Sequence, residues 1–269
     1  MPKVLFAIWC LILPAISIAA PSSKLIKFWD ASQESNNSQI DHSSWQQFLD
    51  DYLIGDDPYD VSLFDYESVS IEDRIALKVY IDGLAEQDPR GYSRIEQKAY
   101  WINMYNALTV DLILDNYPIA SITELGNKFF SFGPWNDNVI SVADKKLSLN
   151  DIEHGILRPL FKDERIHYAA NCASIGCPNL AAQAFTSDNI EELLELGARG
   201  YINHIRGLEI QGETLILSSI YKWYQVDFGS LVDLRKHFIK YAEPALAEQL
   251  KSGGIKNIQY QYNWELNSL

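Results

Sequence analysis

The sequence predicts an α+β protein, a single helix-rich domain with a small mixed or antiparallel sheet. Three observations carry that reading. Long stretches with helical spacing fill the middle of the chain. Short alternating stretches lie between and after them. The two kinds do not follow the regular βαβ order that builds a parallel sheet.

Residues 1–20 read as a secretory leader rather than as part of the fold. Lys3 supplies a positive start, an apolar run extends from Val4 to Ile18, and Ser17 and Ala19 form a small-x-small cleavage site. The mature chain then begins near Ala20 or Pro21 and is exported, periplasmic or secreted. The apolar run is shorter than the roughly 20 residues that span a bilayer, and no later stretch is long and apolar enough to do so. The net charge is -14, and loss of Lys3 makes the mature chain more acidic still. Such a chain is a poor binder of nucleic acid or anionic lipid.

Residues 21–43 read as a flexible linker, because DASQESNNSQIDHS (30–43) is polar. Residues 44–269 form the domain. Trp45, Phe48, Leu49 and Tyr52 have helical spacing. The acidic stretch after them offers Asp56, Asp57 and Asp60 but lacks the spacing and glycine of a calcium loop. A helix over 71–85 is capped by Ser70. Its core stripe is read as Ile71, Ile75 and Val79, widened by Leu77, Ile81 and Leu84. Ser93 caps the longest helix, with Glu96 as its capping-box partner, and the helix runs to Asp115 and stops at Asn116-Tyr117-Pro118.

That long helix is apolar nearly all round, yet it carries Asn103 and Asn106. Buried amides must be hydrogen-bonded. They either tie loops to the core or orient an active-site group. Residues 119–147 are strand and loop, including the aromatic run FFSFGPW. In LNDIEHGILRP, Asn150 caps a helix, Glu153 sits at its third position, and Pro159 ends it. Asp151, His154 and Arg158 share one face.

RIHYAANCASIGCPNL (165–180) is the candidate site. It reads as a strand ending at Asn171, a turn of small residues, and a short helix opened by Pro178 and running to Phe185. Cys172 and Cys177 flank that turn. A thiol nucleophile needs a base and a group to hold it. His154, His167 and His204 are the candidates, with His167 more at home in the core. A helix start favours Cys177, and small neighbours favour Cys172. Asn171, Ser174 and Asn106 are candidate binding residues. No nucleotide, serine-hydrolase or metalloprotease fingerprint is present, and no standard metal spacing joins Glu153, His154, His167 and a cysteine. Neither a cofactor nor a metal is expected.

After the turn, a helix extends to Ile205 with Leu193, Leu194 and Leu196 facing the core. A hairpin joins Leu208–Ile210 to Thr214–Leu217. A helix spans Ser230–Tyr241, Asp227 sits oddly among aromatics, and a closing strand places Tyr260, Tyr262 and Trp264 on one face.

QKAYWINMYNAL (97–108), LNDIEHGILRP (149–159), RIHYAANCASIGCPNL (165–180), SSIYKWYQVDF and YNWELN together resemble domain of unknown function family 547. The likeness is densest over 92–200. It maps the family's recurring residues onto Asn103, Asn106, Glu153, His154 and Cys172. Plant members often lack the second cysteine, which favours Cys172 as nucleophile.

Two functional readings follow. One is a cysteine-dependent hydrolase or acyltransferase acting on an amide or thioester of a small-molecule, peptide or protein substrate. Cys172 attacks, His154 is the base, Glu153 or Asn103 orients it, and loop N–H groups hold the oxyanion. The other is an exported binding or scaffold domain with a Cys172–Cys177 disulfide.

Overall fold

The computed structural model describes residues 21–55, 57–126 and 133–269. The leader, Asp56 and residues 127–132, which include the whole FFSF run, lie outside the described residues. The protein is α+β, as its sequence predicts. Among the described residues, no helix is long and apolar enough to cross a membrane.

Helix α1 (Ser43–Tyr52) buries Trp45, Phe48, Leu49 and Tyr52 and leads into a small ladder of β1 (Leu53–Ile54) with β2 (Leu63–Phe64). Helix α2 (Ile71–Ala85) starts where the Ser70 hydroxyl accepts the Asp73 N–H. Its buried face is Leu77, Tyr80, Ile81 and Leu84. The expected stripe holds only in part: Leu77, Ile81 and Leu84 are buried as expected, but Ile71, Ile75 and Val79 are 73%, 58% and 64% exposed. Apolar residues occur on both sides of this helix, so spacing alone did not say which side the core would take.

Helix α3 (Arg94–Asn116) is the centre of the molecule, and every side chain from Glu96 to Val110 is buried. Ser93 caps it, but the expected reciprocal bond from Glu96 is replaced. Glu96 Oε1 instead accepts the Ile40 N–H at 2.7 Å. That bond belongs to a larger correction. Residues 21–43 are no free linker: Trp29, Ile40 and His42 are buried, and the Asn36 amide donates to the Gly91 carbonyl.

Strands β3 (Asn138–Val142) and β4 (Lys145–Ser148) form a hairpin whose turn residues, Ala143 and Asp144, both have left-handed φ. The cap of the next helix is Ser148, closed into a capping box by Asp151, rather than Asn150. This leaves the Glu153 side chain free of capping duty. Helix α4 (Leu149–Ile152) passes through a π-turn (Glu153–Leu157) into α5 (Arg158–Phe161). Pro159 is thus inside the helical run, which ends at left-handed Lys162.

Residues 165–171 are not a strand. Asp163 caps a 3-10 turn over Glu164–Tyr168, and Ile166, His167 and Tyr168 are all buried, so the alternation a half-buried strand needs is missing. Nor is there a helix over 178–185. Helix α6 (Ile190–Ile202) buries Leu193 and Leu194, whereas Leu196 is exposed.

The C-terminal part has its own sheet. β5 (Leu208–Gln211) pairs antiparallel with β6 (Thr214–Ser218), and β7 (Asn257–Gln261) joins β6 in parallel. Between them lie α7 (Ile220–Trp223), α8 (Gln225–Phe228), α9 (Leu231–Tyr241) and α10 (Pro244–Lys251). A second core of Tyr168, Tyr201, Tyr221, Phe238 and their neighbours forms here, beside the larger one around α3.

Candidate functional site

The π-turn carries Glu153 and His154. In an α-helix the Arg158 N–H would reach the His154 carbonyl; here it reaches back to Glu153. Such bulges recur at functional sites. Glu153 is buried. Tyr105, from α3, donates its hydroxyl to Glu153 Oε2 at 3.2 Å, and Tyr224 also hydrogen-bonds this carboxylate. His154 Nδ1 and His167 Nδ1 lie 3.8 and 3.9 Å from Glu153 Oε1. Burial pushes the Glu153 carboxyl up, but the two histidines, the Tyr224 hydroxyl and the Arg158 charge outweigh it and hold it below its ordinary value.

Arg158 knits this group to the C-terminal part. Its Nε donates to Asp227 Oδ2 at 2.6 Å and its Nη1 donates to His154 Nδ1 at 2.9 Å. A guanidinium only donates, so His154 Nδ1 accepts and the proton of the neutral ring sits on Nε2. Burial pushes the His154 pKa down, and this wins over the pull of Glu153. His167 Nε2 is 2.7 Å from Asp227 Oδ2. Burial raises the Asp227 pKa, but the bonds from His167 and Arg158 bring it down to about 2. The Tyr224 ring stacks on His167, with centroids 3.9 Å apart.

The two asparagines anchor loops. Asn103 is wholly buried, donates to the Phe185 carbonyl at 2.7 Å and accepts its N–H at 3.0 Å. Both polar ends of its amide are therefore engaged away from the thiols. Asn106 donates to the Ala169 carbonyl and accepts the Asn171 N–H, both at 2.9 Å. It holds the peptide that enters the cysteine turn. Asn171 then spans that turn from within, accepting the Ala173 N–H and donating to the Pro178 carbonyl.

Both thiols are free. Cys172 Sγ lies 3.0 Å from Cys177 Sγ, 3.2 Å from Ser174 Oγ and 3.0 Å from Tyr262 Oη. Hydrogen bonding with Cys177 is the largest influence on Cys172; with Ser174 and Tyr262 it outweighs burial and lowers the Cys172 pKa. Burial raises Cys177, so Cys177 keeps its proton; its sulfur accepts the Cys172 N–H at 3.0 Å and its thiol points to the Ala170 carbonyl at 3.8 Å. No helix start acts on Cys177. None of the hydrogen bonds of Cys172 goes to a histidine, although the Glu153 charge is near enough to oppose its ionisation.

The turn's N–H groups are committed elsewhere. Those of Ile175 and Gly176 go to the Glu265 and Asn263 carbonyls, that of Cys177 to Ser174, and that of Ala173 to Asn171. The oxyanion role expected of them is therefore closed at these four positions. Gly176 is required by the close approach of Asn263, whose backbone would stand 2.7 Å from a Cβ. Half-buried Trp223 and Trp264 pack on Tyr262 at 4.8 and 4.6 Å, so an aromatic group flanks the thiol. Among the described residues, no group of three or more His, Cys, Asp or Glu side chains is arranged to hold a metal ion.

Sequence reasoning singled out Glu153, His154 and the thiols, and noticed Asp227 as odd. It gave no part in the site to Tyr105, Tyr224 or Tyr262. Their signal was an excess of tyrosines on otherwise apolar faces. No curated protein and no solved structure matches the chain. Residues 89–202, which carry Glu153, His154, His167 and both thiols, match the family model described as "Protein of unknown function, DUF547".

Proposed function

We propose that this protein is an exported, cysteine-dependent hydrolase or acyltransferase acting on an amide or thioester, with Cys172 as nucleophile. The observation that carries the reading is the setting of its sulfur: three protic partners within 3.2 Å lower the pKa of a half-buried thiol. A thiolate stabilised in this way attacks without a base in contact with it. The attack forms a bond from sulfur to the acyl carbon and sends the carbonyl electrons onto oxygen. Collapse expels the amine or thiol, which takes a proton. Water or an acceptor then displaces the acyl group from sulfur.

Acid–base work falls to the Glu153–His154–His167 group rather than to one histidine paired with sulfur. Arg158 leaves His154 with its proton on Nε2, so in the neutral state this ring donates rather than abstracts. His167 is oriented by Asp227 as a base is oriented by its third partner. Export rests on the leader, with cleavage near Ala20 or Pro21.

The test is thiol labelling and acyl-ester or thioester turnover on the reduced mature protein. Cys172→Ala abolishes both, and His154→Ala slows turnover while the protein stays folded. Turnover that survives in Cys172→Ala refutes the reading. A second reading has its own observation: sulfurs 3.0 Å apart are placed to bond under oxidising conditions. In that case the exported protein is a binding or scaffold domain with a Cys172–Cys177 disulfide, and the protein as isolated shows no free thiol.

A further inference from the structure

The π-turn has a difficulty that its own sequence creates. The Arg158 N–H is taken by Glu153, so the His154 carbonyl must look one residue further on, to Pro159. Pro159 is also the α-helical donor for the Gly155 carbonyl. Proline has no N–H, and neither carbonyl gets a bond from it. Buried carbonyls without partners are costly.

The partners come from the far end of the chain. The Lys24 N–H donates to the His154 carbonyl at 3.0 Å, and the Ile26 N–H donates to the Gly155 carbonyl at 2.9 Å. These donors are two residues apart, as along an extended segment. The Ile26 side chain fills the space above Gly155, where a Cβ would stand 2.5 Å from Ile26 Cδ1. The Pro21 carbonyl accepts from Arg158 Nη1 at 2.9 Å, the same nitrogen that bonds His154.

We propose that residues 21–26 are a positioning strap, whose backbone supplies the donors that Pro159 withholds and thereby sets the turn bearing Glu153 and His154. The strap touches neither thiol and acts through the turn. Its contact with Arg158 adds to the fixing of the His154 ring, which is faced by Glu153, Arg158, His167 and Asp227. The catalytic relevance of the strap rests on the reading of Cys172 and His154 given above, but the strap itself is tested without any turnover.

The experiment follows the His154 ring by NMR titration of the mature protein, with the signal assigned through His154→Gln and His42 as internal reference. Lys24→Pro removes the donor to the His154 carbonyl. Lys24→Ala retains it. Gly155→Ala displaces Ile26. In Lys24→Pro and Gly155→Ala the His154 midpoint moves up from its depressed position toward that of an ordinary histidine, and His42 stays where it was. Lys24→Ala titrates like the parent. Should Lys24→Pro fail to fold, Gly155→Ala and Ile26→Ala report on the same contact. The proposal is overturned if the folded variants lose thermal stability while His154 titrates unchanged, since the strap is then only a brace. It is also overturned if Lys24→Ala shifts His154 as far as Lys24→Pro does. A shifted His154 in a protein with no thiol activity leaves the strap standing and removes the enzymatic reading instead.

Discussion

The site has two halves of different character. The family-matched region, 89–202, provides Glu153, His154, His167 and both thiols, all placed by buried structure around α3. The region after it provides Tyr224, Asp227 and Tyr262, from short helices and the end of a three-stranded sheet. The first half holds the groups named in the proposal. The second half supplies partners to them: Asp227 faces Arg158 and His167, Tyr224 bonds Glu153, and Tyr262 reaches Cys172. A recognisable motif is therefore not a complete site.

The most severe break in this comparison is Asp227→Ala. Arg158 is almost wholly buried, and loss of its carboxylate leaves a buried charge uncompensated. Removal of one partner from such a pair costs about 3–5 kcal/mol; the one-fifth exposure of Asp227 places this case near the lower end. Urea unfolding checks it. A loss below about 1 kcal/mol would mean that the C-terminal half merely covers the motif.

Asn106→Ala comes next. It leaves the Asn171 N–H and the Ala169 carbonyl without their partner, at a cost of about 1–3 kcal/mol, and it loosens the entry to the cysteine turn. Asn103→Ala is expected to cost a similar amount but to leave the labelling rate of Cys172 unchanged, because its partner is Phe185. Equal labelling effects in both variants would dissolve the distinction between the two anchors.

These anchors also show what was legible beforehand. Ser70 and Ser93 could be read as caps because their partners lie three residues away. The burial of Asn103 and Asn106 followed from an all-round apolar helix. The strand expected at 165–171 failed because an Asp163 cap and three consecutive buried residues override β-like composition. Of the two apolar sides expected to face the core from α2, only that of Leu77, Ile81 and Leu84 does, because only its neighbours choose between them. Tyr262 meets Cys172 across 90 positions, and no local pattern records such a meeting.

A third test uses acid. Burial pushes the His42 pKa down to about 4, and His154 is lowered in the same direction. Both rings are neutral in the folded protein and take up protons more readily when it unfolds. Their contribution is intact above the unfolded histidine pKa and is lost as the pH falls below it. For His42 alone, moving from about pH 7.5 to about pH 5 removes about 2 kcal/mol. His42→Gln flattens that slope, as unfolding at the two pH values would show. A slope unchanged in His42→Gln would assign the acid sensitivity to the site instead.

The smallest effect expected is that of Tyr262→Phe, which deletes one hydroxyl beside Cys172. The pH midpoint for alkylation of Cys172 rises toward that of an ordinary thiol. Ser174→Ala acts in the same direction. A midpoint that stays put would return control of the thiol to the matched region alone.

The pairing of residues 263–267 with the cysteine loop has a consequence in time. The Asn263 and Glu265 carbonyls receive the N–H groups of Gly176 and Ile175, and the Asn267 N–H returns to Ala173. These residues follow the cysteines in the sequence, so a growing chain makes its cysteines well before the segment that fastens their loop. Until that segment is made, Cys172 lacks Tyr262 and the loop lacks its fastening. The thiol therefore acquires its full setting only once residues 262–267 exist, and a chain cut short before them carries an unset thiol.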